Sequence, residues 1–437
     1  MPVIPQDTFM VAAPIRTEAK ASLYQLLGRM NLRPGVVDPA NPLLPFQNFH
    51  TIHFARFVVL EDQTLSDLAA YHESFPNAPV YLVFLGDCDG PSAHLLQELA
   101  REAGRGLREI FGHCEGFGPN IDLLPWMRAH LLRPAANYVN FIGRTVQQIR
   151  EEAALHTALI QYLAGTSADE PPSRLRSRLR QAVREHGPIL GRPGPTPIWF
   201  WLRQKCSDLA AGLLLLAGAL LLLLTPLILL IPLYLYCLRR HEITDPVVPK
   251  PPHDIPSNQY VAGLATLEDY DLVNQFSAFG NVKPGWFRRG TIIFLLFALN
   301  FANRLLYGRG RLARIGTIHF ARWVFIDGHR RLFFASNYDR SLETYADDFV
   351  NKVAFGINLV FSNGIGYPST RFLILDGAKN ERNYQNYLRR HQLPTQVWYN
   401  AYPGLTAFDI NRNASIRKGL EGDTLSDPEI RQWLALI

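Results

Sequence analysis

The sequence predicts an α+β protein of two tandem ferredoxin-like domains, paired as a pseudo-dimeric α/β barrel, with a membrane-inserted helical segment between them. Three observations predict it: a hexapeptide that occurs twice, strand and helix patterns that follow each copy in the same order, and a charge-free apolar run between the copies.

The hexapeptide TIHFAR occupies Thr51–Arg56 and returns at Thr317–Arg322. In register, IHFARFVVLED (52–62) faces IHFARWVFIDG (318–328). Each copy runs into a second apolar segment, VYLVFLGDCDG (80–90) and RLFFASNYDR (331–340), from which the offset is constant: Asp89 matches Asp339, Phe111 matches Phe361, Gly116 matches Gly366 and Phe117 matches Tyr367. Agreement in order and spacing over such a length is the mark of duplication. β-Branched and aromatic enrichment makes these segments strands. Helical patterns follow in SAHLLQELAREAGRGLREIF and SLETYADDFVNKVAFGINLVF. The second copy continues with RFLILDG (strand), NERNYQNYLRRH (helix) and TQVWYNAY (strand), the first with ANYVNFIG (strand) and RTVQQIREEAALHTALIQYL (helix). A hairpin followed by alternating helices and strands suits helices on one face of an antiparallel sheet. By analogy with such folds, two units of this kind are expected to pack sheet to sheet as an α/β barrel around a central pocket.

Alternation along a strand places His319 with Ala321, Trp323 and Phe325, and Arg322 with Phe320, Val324 and Ile326. His and Arg therefore point oppositely unless a bulge intervenes. Each pair is expected to pin its strand by hydrogen bonds.

Composition sets the outer bounds. The chain has 437 residues, 48% hydrophobic and 19% charged, with a net charge of +6, enough for two folded domains rather than a disordered chain. Basic residues crowd beside the apolar segments: Arg174, Arg176, Arg178, Arg180, Arg184, Arg192, Arg203 and Lys205 precede the first, and Arg304, Arg309, Arg311 and Arg314 follow the second. That placement favours anionic lipid headgroups over nucleic acid, with Arg309, Arg311 and Arg314 as the headgroup candidates. Cys88, Cys114, Cys206 and Cys237 show neither CxxC nor metal-ligand spacing, so no disulfide framework and no metal site is expected. The N-terminal stretch has no basic region ahead of an apolar core, and no secretory signal is expected.

Ala210–Leu238 carries no charge and exceeds the roughly 20 residues that cross hydrocarbon. Trp199, Phe200, Trp201, Tyr234 and Tyr236 flank it as interfacial aromatics. A second stretch, Gly290–Asn303, reaches only about 21 Å as a helix and should lie in the interface. One crossing at 210–238 would part the two repeats. Either the second stretch returns as a strained crossing, or Pro226 and Pro232 break the first into a re-entrant hairpin. Both repeats are expected on the cytoplasmic face. The expected organisation is a first repeat at 1–165, a basic linker at 166–209, the apolar segment at 210–238, a Pro-rich connector at 239–289, an interfacial helix at 290–307 and a second repeat at 308–437.

GDCDG (86–90) sits at a strand-to-helix turn where Asp89 could cap the following helix; the second copy has SNYDR, keeping Asp339 and replacing the last glycine by Arg340. With tandem ferredoxin-like domains, this G-x-x-D-G stretch resembles the dye-decolourising peroxidases, and Gly86, Asp89 and Gly90 match the motif. The resemblance implies a haem held by a histidine, for which His53, His113 and His319 are candidates. It also implies peroxide cleavage by an aspartate and an arginine, with Asp89 or Asp339 carrying the proton and Arg56 or Arg322 stabilising charge. IHFARW (318–323), SNYDRS (336–341), GYP (366–368) and PTQVWYNAYP (394–403) resemble, over most of the chain, a family of bacterial membrane-associated proteins that brings no function to transfer. No nucleotide-phosphate loop, H-E-x-x-H or G-x-S-x-G is present. The expected function is thus a membrane-associated protein binding an apolar or planar ligand, with haem as the candidate cofactor, between the two domains. The alternative is a non-catalytic module binding lipid or a partner at the membrane surface.

Overall fold

In β4 (Ile52–Leu60), formed around the first hexapeptide, every residue is buried, the histidine and arginine included. Both faces of the strand are covered, which is why its sequence reads as a continuous apolar run rather than an alternation. The computed structural model describes residues 6–164, 170–191, 198–246, 248, 257–305, 315–422 and 425–437. Among them the chain is mixed α+β.

The first half opens with β1 (Gln6–Pro14) and α1 (Lys20–Gly28), then a small ribbon of β2 (Asn31–Arg33) and β3 (Val36–Val37), then β4 and β5 (Tyr81–Asp89). Helices α2 (Ser92–Glu102), α3 (Gly104–Phe111) and α4 (Leu123–Ala129) follow, then β6 (Ala136–Val139) and α5 (Val146–Leu163). Next come α6 (Pro172–His186), the apolar α7 (Ile198–Leu224) and α8 (Leu230–Thr244), and α9 (Asn258–Ala265). The second half repeats the plan. It has β7 (Val273–Asn281), α10 (Trp286–Leu305), β8 (Ile318–Ile326), β9 (Arg331–Asp339) and α11 (Leu342–Phe361), a ribbon of β10 (Thr370–Arg371) and β11 (Leu375–Asp376), and α12 (Glu381–His391). It closes with β12 (Thr395–Asn400), α13 (Ala407–Glu421) and α14 (Asp427–Leu434).

Two four-stranded antiparallel sheets form, in the orders β1-β5-β4-β12 and β6-β8-β9-β7. Each half therefore completes its sheet with the last strand of the other. The two exchanges are alike in register: Trp398 lies opposite Arg56 and Asn137 opposite Arg322. On their approach the exchanged strands also touch their own half, Leu132 N donating to Met10 O at 2.9 Å and Leu393 N to Ser277 O at 2.8 Å. The eight strands are thus joined in a ring. Its interior is filled by Met10, Val58, Val83, Phe279, Val324 and Phe333 among others, as expected of a ring of this size. Larger cores lie outside, one between the first sheet and α1–α4, one between the second sheet and α10–α12.

Two elements fall within the expected connector and interfacial segment. β7 lies inside the expected connector, and α10 (expected as an interfacial helix) packs against the second sheet. One face of α10 buries Ile292 and Leu296, while Asn300 Oδ1 accepts from Asn137 N at 3.2 Å and Asn303 Nδ2 donates to Asn137 O at 3.0 Å. These asparagines satisfy the open edge of β6. The basic linker is also partly structural. Arg176 and Arg180 of α6 donate to carbonyls at the end of α13 (Gly419, Gly422 and Glu421), favourable contacts for cations at a helix C-terminus.

Candidate functional site

The pairing register slips at Ile52/Phe54 and at Ile318/Phe320, so a bulge falls on each histidine. The alternation argument fails there, and His53 and His319 turn toward the aspartates ending β5 and β9. His53 Nε2 donates to Asp89 Oδ1 at 2.9 Å, and His319 Nε2 to Asp339 Oδ1 at 2.6 Å. The second oxygens accept from helix N-termini: Asp89 Oδ2 from Val146 N at 2.9 Å, and Asp339 Oδ2 from Ala407 N at 3.0 Å. The aspartates do cap helices, but α5 and α13 rather than the helices that directly follow them. Asp7 Oδ2 serves Ser92 N at the start of α2, and Ser341 Oγ caps α11. Capping boxes at Thr145/Gln148 and Thr406/Asp409 complete the two distant ends.

The arginines cross the ring. Arg322 pairs with Asp87 and donates to the carbonyls of Phe9 (3.0 Å) and Gly86 (3.2 Å). Arg56 makes the mirror-image contacts with Asn337, Phe276 O (3.0 Å), Ser277 Oγ (3.1 Å) and Ser336 O (3.0 Å). Of the two arginines only Arg322 pairs with a carboxylate among the described residues, Asn337 facing Arg56 where Asp87 faces Arg322. Burial and the neighbouring Arg322 pull the Arg56 guanidinium down to about 9, Asp87 opposing them. Burial likewise raises the Asp87 carboxyl, against Arg322 and Arg56. Both arginines join the sheets and are fully engaged by the protein.

The second imidazole nitrogens differ. His53 Nδ1 accepts from the Tyr402 hydroxyl at 3.1 Å, whereas His319 Nδ1 is buried without a hydrogen-bond partner among the described residues. At the position equivalent to Tyr402 the first half has Phe141, whose ring meets His319 edge-on at 5.7 Å. Phe141→Tyr is therefore expected to supply the missing donor and raise the unfolding free energy by about 1 kcal/mol in urea titration.

A haem does not fit these residues. Phe320, Tyr402 and Phe141 lie 5.3, 5.8 and 6.0 Å from the His53 ring, and Phe54 lies 5.5 Å from that of His319. The rings fill the space a porphyrin would need beside either nitrogen. His113, at the end of α3, donates through Nδ1 to the carbonyls of Glu109 (3.0 Å) and Ile110 (3.2 Å). No contact joins it to Asp89 or Asp339 among the described residues. Five groups expected to do chemistry, His53, His319, Asp89, Asp339 and Arg322, thus hold strands and helices together, and Arg56 joins them. The pocket expected between the halves is likewise filled.

The apolar features gather on the second half. α7 is long and apolar enough to cross a membrane, with none of its core window buried. Within its first half Asp208 pairs with Arg304 at 2.9 Å, and near its middle Gly212 lies so close to Phe301 that a Cβ would meet the ring at 3.2 Å. α8 returns to the other end of α10: Tyr234 bonds Thr291 at 3.1 Å, and Phe287 faces the rings of Tyr234 at 5.3 Å and His241 at 4.8 Å. A straight helix from Asp208 to His241 would measure about 50 Å, against about 26 Å from Phe287 to Arg304, so the segment must fold between them. It folds at Thr225, which is extended (φ −130°, ψ 165°) and caps the short turn Pro226–Leu229. Proline lacks the donor a continuing helix needs and disfavours helical backbone at the residue before it. Pro232 falls in the first turn of α8, where proline is tolerated. Glu242 then fastens the end of α8 by accepting from Thr370 Oγ1 (3.0 Å) and the Phe372 and Leu373 amides (both 2.8 Å).

Beside α10 lies a cavity of about 280 Å³, walled by α10, α11, α12 and the outer face of the second sheet. It was not foreseen, since the sequence led to the space between the halves. Arg309, Arg311 and Arg314, the headgroup candidates, lie outside the described residues. No protein-family model matches the chain, and no curated protein matches it.

Proposed function

We propose that the protein is a lipid-binding module held at one face of a membrane by a re-entrant apolar hairpin, with both halves on that same face. The observation that carries the reading is the seating of both ends of the apolar segment on α10, Asp208 and Gly212 at one end and Tyr234 and His241 at the other. Beyond Gly212, α7 extends about 18 Å before it breaks, short of the roughly 30 Å of hydrocarbon. The hairpin therefore enters the near leaflet and returns. Arg203 and Lys205 precede one foot and Arg239 and Arg240 follow the other, which supports a cytoplasmic face. Arg309, Arg311 and Arg314 follow α10 in sequence and would meet anionic headgroups there. In this reading the halves are tandem ferredoxin-like units of a pseudo-dimeric α/β barrel, supported by the repeated plan and the ring of strand pairings.

The native cysteines test it. Cys206 and Cys237 flank the hairpin, whereas Cys88 and Cys114 are buried. In sealed membrane vesicles carrying the full chain, a membrane-impermeant maleimide should label Cys206 and a Thr244→Cys marker from the same side, in a Cys237→Ala background. Labelling from opposite sides means that the segment crosses, and overturns the reading.

A further inference from the structure

The cavity beside α10 is roomy, about 280 Å³, and lined almost wholly by apolar side chains. Leu295, Ala298, Leu299 and Ala302 line it from α10, a spacing of three and four residues that makes one continuous stripe. Two of the four are alanines, so α10 leaves a trough where larger residues would have closed the gap. Opposite runs α11, whose helical geometry breaks at Val353 (φ −145°, ψ 29°), itself a lining residue. The sheet supplies the floor through Ala321, Trp323 and Phe334. In the first half three short helices, α2–α4, cover the equivalent sheet face and pack it with Leu96, Leu99, Ile110 and Trp126. The trough is a departure of one repeat from the other.

We infer that this cavity is a binding site for one acyl chain of a membrane lipid, entered from the bilayer between α10 and α11. The inference rests on the membrane-surface reading above and names what that surface takes up. Four features favour an acyl chain. An apolar cavity of about 150 Å³ already holds a benzene, so this one accommodates a hydrocarbon of on the order of ten carbons. It adjoins the helix that seats the apolar hairpin, and on the solvent side of that helix Ile293 is 41% and Phe294 59% exposed. Phe355, a lining residue of α11, is 53% exposed at the rim, which marks an opening that an apolar environment would have to cover. Finally, Trp323 is 5% exposed and its Nε1 has no hydrogen-bond partner among the described residues. A buried donor without an acceptor is costly, and the carbonyl or carboxylate oxygen at the head of an acyl chain is the acceptor that an all-hydrocarbon filling would lack.

The test uses photoactivatable palmitic acid and, separately, phosphatidylcholine with the same photoactivatable chain, each presented to the full-length protein in liposomes. Crosslinks are mapped to peptides after digestion. The expected result is labelling of both 295–302 and 349–360, lost in Ala298→Trp and in the milder Ala302→Leu, and weakened roughly three- to tenfold in Trp323→Phe. Labelling by the free acid alone, by the phospholipid alone or by both distinguishes a released acyl chain from one still on its lipid. Thermal unfolding confirms that each variant is folded, and liposome flotation reports membrane attachment independently. Flotation with crosslinks confined to 210–238, or crosslinks undiminished in both alanine variants, overturns the acyl site and leaves the membrane reading standing. Loss of flotation in the wild type overturns the membrane reading itself.

Discussion

Asp87→Ala is expected to lower the unfolding free energy by about 3–5 kcal/mol, the usual consequence of stripping one partner from a buried ion pair. Asp87 pairs with Arg322, one of the two arginines that join the sheets, and it and both arginines are at most 2% exposed. Without it, Arg322 keeps its bonds to the Phe9 and Gly86 carbonyls, but two cations remain in the ring with no facing counter-charge. Asp87→Asn is the informative companion. It makes the first half resemble the second, where Asn337 already serves Arg56, so it should cost distinctly less than the alanine. Equilibrium urea unfolding of the two variants decides the matter. Equal losses would mean that the charge of Asp87, and not its acceptor oxygen, holds the sheets together.

Asp339→Ala carries the second large effect, about 2–4 kcal/mol, because it leaves two donors unmet at once. Both His319 Nε2 and Ala407 N depend on this carboxylate, and its site is 4% exposed. The equivalent Asp89→Ala should cost less, since that side chain is 9% exposed and water can replace part of what is lost. A double-mutant cycle of Asp339→Ala with His319→Phe should return a coupling of roughly 0.5–3 kcal/mol. Additive losses would show that the histidine does not depend on the aspartate. Either way, the effect is read in stability, as a strand tied to a helix requires, whereas a proton carrier would lose its activity with folding intact.

The β4–β5 and β8–β9 hairpins were legible because their signals are local: the hexapeptide found at both places, β-branched runs, and an aspartate ending the second strand of each. The exchange of the last strands was not. ANYVNFIG and TQVWYNAY read as strands in either half, and nothing in their composition says which sheet edge they join. β7 escaped notice because VNQFSAFGN carries polar residues that serve buried partners, Ser277 for Arg56 and Gln275 for Thr395, and so breaks the apolar pattern. The aspartates were legible as caps but not as caps of α5 and α13, since the receiving amides lie 57 and 68 residues further along. The matched capping boxes at Thr145 and Thr406 were a usable signal. They sit at a different offset from the hairpin residues, and a fixed spacing passes over them. The cavity was invisible because it depends on a helix assigned to the membrane rather than to the second half.

The strand exchange makes the two halves depend on each other. A lone half would present β4 or β8 as an open edge, with its own last strand left over, whereas the two halves together close both edges at once. Each sheet draws its fourth strand from the other half, so neither half expressed alone can complete its own sheet, and the two must fold as one cooperative unit.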